Sequence, residues 1–118
     1  MAKYVDGYVL PIPKNKVSAY RKMAVIGAKI WMDHGALQYC ESAGDDLAVK
    51  FGMTFPRGIR IKRGETVIFA WIVFKSRAHR DRVNANVMKD PRLNQFKGPM
   101  PFDPKRMMVG GFKVIVEA

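Results

Sequence analysis

Asp6 lies between Tyr4 and Tyr8 in the alternating segment Tyr4 to Leu10, which sets a carboxylate among aromatic rings on one strand face. An acid placed there either acts on a ligand as a proton acceptor or pairs with a cation that ties the fold together. Arg92, Lys105 and Arg106 are the expected partners. The last two belong to Met100-Pro101-Phe102-Asp103-Pro104-Lys105-Arg106-Met107, a proline-bracketed turn opening onto the apolar stretch Met108 to Val116. Asp103 and Arg106 are expected either to lock the last strand in place or to rim a pocket. His34 ends a helical segment, where capping competes with ligand contact. His79 stands among Arg77, Arg80 and Arg82, surroundings that favour a neutral ring. The two histidines lack any metal-ligand spacing, so no metal site is expected, and no cofactor. Cys40, the sole cysteine, reads as a small core residue. Asn84 and Asn86 on a later helix either orient a ligand or face water.

These side chains belong to a chain of 118 residues, long enough for one core, and a single domain spanning 1–118 is expected. Apolar residues make up 48%, which excludes a disordered chain. The apolar run Val67 to Phe74 falls well short of the roughly 20 residues that a membrane helix needs, so no membrane partner is expected. A single cysteine and an N-terminus without an apolar leader point to the cytoplasm. Lys and Arg number 21 against 10 Asp and Glu, a net charge of +11. Arg57, Arg60, Lys62, Arg63, Lys75, Arg77, Arg80 and Arg82 concentrate that charge, a field that attracts anions or simply keeps the surface solvated.

The elements that must position these groups follow from periodicity. Tyr4 to Leu10 reads as a strand ended by Pro11 and Pro13. From about Lys16 to Asp33 the spacing turns helical, with Asn15 as N-cap and His34-Gly35 as the stop. Ala36 to Ser42 reads as a strand. Ala43 to Gly64 reads as a long excursion with short extended pieces. Glu65 to Phe74 is the strongest strand, and Ser76 caps a helix running to about Met88. Asp90-Pro91 starts a short turn or helix, and Val109 to Glu117 is the last strand.

Strand, helix, strand, strand, helix, strand is the α+β, ferredoxin-like βαββαβ plan: an antiparallel sheet with helices on one face. Val67, Phe69, Trp71 and Val73 fall on one side of the strongest strand, and Ile68, Ala70, Ile72 and Phe74 on the other. A strand apolar on both sides calls for cover on both. Sheet-on-sheet homodimerisation supplies it; the competing expectation is that the 43–64 excursion folds back over that face.

Tyr4-Val5-Asp6-Gly7-Tyr8, His34-Gly35-Ala36-Leu37, Gly64-Glu65-Thr66-Val67, Asp90-Pro91-Arg92, Met100-Pro101-Phe102-Asp103 with Lys105-Arg106-Met107, and Gly110-Gly111-Phe112 together resemble the YbaA-like family of small bacterial proteins. The resemblance runs from about Tyr4 to Val116. It implies a dimeric α/β barrel in which two ferredoxin-like subunits join their sheets, and it implies no activity. Pro104 departs from it, standing where relatives usually carry glycine.

Three functions fit. The favoured one is a homodimeric small-molecule-binding protein or cofactor-independent enzyme, with a pocket between sheet and helices. Its expected ligand residues are Asp6, Tyr8, Trp31, His34, Trp71, Asp103 and Arg106, with Phe112 on the wall. The alternative is RNA or other nucleic-acid binding through Arg57, Arg60, Lys62, Arg63, Arg77, Arg80 and Arg82. The third is a scaffold dimer without catalysis.

Overall fold

The computed structural model describes residues 2–96 and 98–118. Four strands, β1 (Tyr4–Pro13), β2 (Gln38–Ala43), β3 (Glu65–Phe74) and β4 (Met108–Lys113), form one antiparallel sheet in the order β2-β3-β1-β4. Helices α1 (Val17–Asp33) and α3 (Arg77–Met88) cover one face. This is the ferredoxin-like arrangement, with β1 and β3 in the middle because they carry the apolar alternation.

Registers decide which side chains share a face. Asp6 pairs with Ile72, Tyr8 with Ala70 and Leu10 with Ile68, so these residues all look toward the helices. Their core contains Leu10, Ile12, Tyr20 and Ile68 at one end, and Ile30, Ile72, Phe74, Val83 and Val87 at the other. The opposite face carries Val9, Phe69, Trp71 and Phe112. Phe69 is 45% exposed and Phe112 62%.

Several boundaries depart from the sequence reading: β4 ends at Lys113 rather than Glu117, and β2 begins at Gln38 rather than Ala36. β1 does not stop at Pro11 but runs through it to Pro13. Beyond Val9, β1 has no β4 neighbour. Lys14 donates its N–H to Gly64 O on the β3 side, so the alternate positions 11 and 13 aim their missing donors at the side that β4 has left. Asn15 does not cap α1: a 3-10 turn over Lys14–Lys16 leads straight in, and Lys16 holds the cap position without a side-chain bond. Ser76 does cap α3, its hydroxyl accepting from the His79 N–H.

The excursion before β3 contains a short helix, α2 (Phe55–Ile59), where only extended pieces were expected. Thr54 caps it, and Pro56 sits in its first turn where no N–H is required. Phe55 packs on Phe69, 5.9 Å between ring centroids, so α2 shields part of the face opposite α1 and α3. Met108 and Phe112, on β4, remain more than half exposed on that face.

Candidate functional site

Each partly or fully buried carboxylate defines a small neighbourhood, and those neighbourhoods locate the site. Asp6 is 3% exposed and accepts from Arg80 Nη1 at 2.8 Å and Asn84 Nδ2 at 3.1 Å. Arg92, Lys105 and Arg106, the cations expected from sequence, are not its partners. Arg80 and Asn84 stand one helical turn apart, beside buried Val83 and Val87 on the inward stripe of α3. Arg80 also lies over the Tyr4 ring at 4.9 Å, and Asn84 Oδ1 accepts from Trp31 Nε1 at 3.0 Å. Asn84 thus links β1, α3 and α1 rather than facing water.

The remaining expected partners serve the chain's framework. Arg106 grips both Glu65 oxygens, at 2.7 and 2.9 Å, and also donates to Arg60 O. That fork holds the Glu65 carboxyl below its ordinary range. Asp103 caps the 3-10 turn that begins at Pro104, a position proline's fixed φ suits. Asp90 accepts from Arg92 and lies 2.8 Å from His34 Nε2, and the Arg92 bond holds its carboxyl far below the usual range. Arg92 also reaches Asp33 at 2.7 Å. His34 therefore closes α1 as its C-cap and binds Asp90. His79 accepts from the Lys75 N–H, and burial first, then Lys75 and Arg82, push its pKa down.

Glu41 differs from all of these. It lies on the inward face of β2, where one oxygen accepts from the Tyr20 hydroxyl at 2.6 Å and the other from the Tyr39 hydroxyl at 2.7 Å. Beneath α1 the three groups border a cleft of about 210 Å³, walled by Tyr8, Leu10, Trp31 and Phe102 among others. Burial, reinforced by Glu41, pushes the Tyr20 and Tyr39 phenols well above their ordinary range, so both remain hydrogen-bond donors. Tyr8 is pushed up to about 12, first by burial, then by Asp6.

Of the residues expected to bind a ligand, Tyr8, Trp31 and Trp71 border this cleft, while Asp6, His34, Asp103 and Arg106 are not on its wall. The indole of Trp71 stands on the other sheet face, 5.5 Å from Phe69, and donates to Gln38. Phe112 shares that outer face and does not line the cleft. Tyr20, Tyr39 and Glu41 were missed. Their signal was present: Tyr39 and Glu41 are two apart on a strand, hence on one face, and that face had to look inward.

Arg57, Arg60, Lys62 and Arg63 precede β3, and Arg77, Arg80 and Arg82 follow it on α3. Arg80 is also committed to Asp6. Among the described residues no group of three or more His, Cys, Asp and Glu side chains could hold a metal ion, and no helix is long and apolar enough to cross a membrane.

Fold and cleft together define a ferredoxin-like α+β protein with a phenol-and-carboxylate cleft between its layers. Residues 3–104 match the family described as "Protein of unknown function (DUF1428)", and the chain belongs to that family. It is 39% identical over 115 residues to "Uncharacterized protein YbaA" of Escherichia coli (strain K12), covering 98% of each chain. The protein of that name from Shigella flexneri matches with the same identity and coverage. A crystal structure of a dimeric ferredoxin-like protein from an uncultured marine organism matches with a TM-score of 0.56 at 14% identity, over 100% of both chains, a likeness of fold.

Proposed function

We propose that this protein binds a small molecule in the cleft between α1 and the sheet, and that it does so as a homodimer joined through the outer sheet faces. The observation that carries the reading is the Tyr20–Glu41–Tyr39 cluster: an apolar chamber with a few convergent polar groups is the usual form of a ligand site. The cleft is smaller than the roughly 300–1,000 Å³ typical of drug-sized sites, so it suits a compact ligand of about one ring. The half-exposed Phe69, Met108 and Phe112 on the outer face support dimerisation. A cytoplasmic setting belongs to the same reading, supported by a chain with one cysteine.

A fragment library screened by protein-observed NMR tests the site. Hits should move resonances of Tyr8, Trp31 and Tyr39, and Ala24→Phe, which fills the cleft wall, should abolish them. Hits that persist in that variant would place the site elsewhere. For the assembly, sedimentation should give a dimer that Phe112→Glu dissociates; a monomer at micromolar wild-type protein would remove the dimer.

A further inference from the structure

Four carboxylates in the described residues are not exposed: Asp6, Glu41, Glu65 and Asp90. Three of them have an arginine partner, Arg80, Arg106 and Arg92 respectively. Among the described residues Glu41 has no cation within ion-pairing distance, in a protein of net charge +11. Its partners are two neutral phenols, which satisfy hydrogen bonds but leave the charge uncompensated. A part-buried charge without a counter-ion is costly, and the abundant Lys and Arg would have been easy to place there. Phenols use two of the carboxylate's roughly four acceptor positions, so further donors can bind. Aromatic rings face the same space, namely Tyr8, Trp31, Tyr39 and Phe102, and none of the described lining residues is Lys, Arg or His.

We propose that the cleft selects a small organic amine in its protonated form, an arylalkylamine or a compact alkylammonium, with the Glu41 carboxylate as counter-ion and the surrounding rings as a cation–π cage. This rests on the cleft being the ligand site. The ammonium donates to the free lone pairs of Glu41, and the apolar part of the amine lies toward Leu10 and Trp31. The Tyr8 phenol on the same wall is held neutral by burial first, then by Asp6, with Glu41 the last contributor.

Three probes of one shape and different charge decide the matter at neutral pH: 2-phenylethylamine, 2-phenylethanol and 3-phenylpropionate, titrated by calorimetry and NMR. The amine should bind about tenfold or more tighter than the alcohol, with the acid weakest. Glu41→Gln should erase the preference for the amine while leaving the alcohol's affinity near its wild-type value. Tyr39→Phe, which keeps the carboxylate, should retain the preference. Alcohol or acid binding in the cleft as tightly as the amine would overturn the amine assignment and leave the cleft as a site. If none of the three moves the Trp31 or Tyr39 resonances at millimolar concentration, the cleft itself is not the site and both readings fall.

Discussion

Asp6 and Glu41 occupy the same inward face of the same sheet, on strands separated only by β3, yet their surroundings are opposite in kind. Asp6 meets a guanidinium and an amide that are themselves anchored, Arg80 by the Tyr4 ring and Asn84 by Trp31. Every group in that cluster has a protein partner, which makes it a fastening between α3, α1 and β1. Glu41 meets two hydroxyls beside empty volume. What separates a structural carboxylate from a candidate site is therefore not burial but whether the fold itself supplies the counter-charge.

The sharpest way to break this contrast is Asp6→Ala, which leaves the Arg80 guanidinium beside an apolar core with the exposed Asp81 as its remaining carboxylate partner. Chemical denaturation should show a loss of about 3 kcal/mol, and combining it with Arg80→Met should recover a large part of that loss. A single-variant loss near zero would mean Asp6 is no fastening. Glu41→Gln should cost about 1 kcal/mol or less, since its neutral partners can turn to water in the cleft. If it destabilised the protein as much as Asp6→Ala, the two carboxylates would be the same kind of feature.

The smallest expected effect joins the two regions through Tyr8. Its folded pKa of about 12 lies above the ordinary phenol value of about 10, so its contribution to stability is complete below that value. It is lost as pH rises from there through the folded pKa. The denaturation midpoint should fall over that window and fall less in Tyr8→Phe. Phenolate absorbance should locate the Tyr8 transition at lower pH in Asp6→Asn, because Asp6 is the second cause of the rise after burial.

Local chemistry was legible in the sequence wherever it was enough to decide the outcome. β3 runs from Glu65 to Phe74 as its β-branched and aromatic content demands, and Ser76 caps α3. The ferredoxin-like plan followed from the order of such segments. Pairing across the chain was not legible. Asp6 was expected to meet Arg92, Lys105 or Arg106, but its partner lies 74 positions away on a helix whose bases looked like a surface field. The inward spacing of Arg80, Val83, Asn84 and Val87 carried the signal, outweighed by their neighbours' charge. Prolines 11 and 13 misled for a related reason, since a missing donor matters only on a side where a strand is waiting.

The aromatic–glycine packing between β1 and β4 bears on how the protein is made. Gly111 lies directly under the Tyr4 ring, so close that any Cβ there would collide with it, and Gly7 and Gly110 lie against the Phe112 ring. Shifting β4 by two positions either way would bring Val109 or Lys113 opposite Asp6, where Gly111 now sits. The Tyr4 ring over Gly111 thus disfavours those two-residue slips of β4 against the strand synthesised first. During translation β1 gains β3 midway but keeps a bare edge until residues 108–113 emerge, an interval in which an exposed edge invites association with other chains. The two glycines in sequence shorten the search at the end of that wait, because they mark the place where the ring must close.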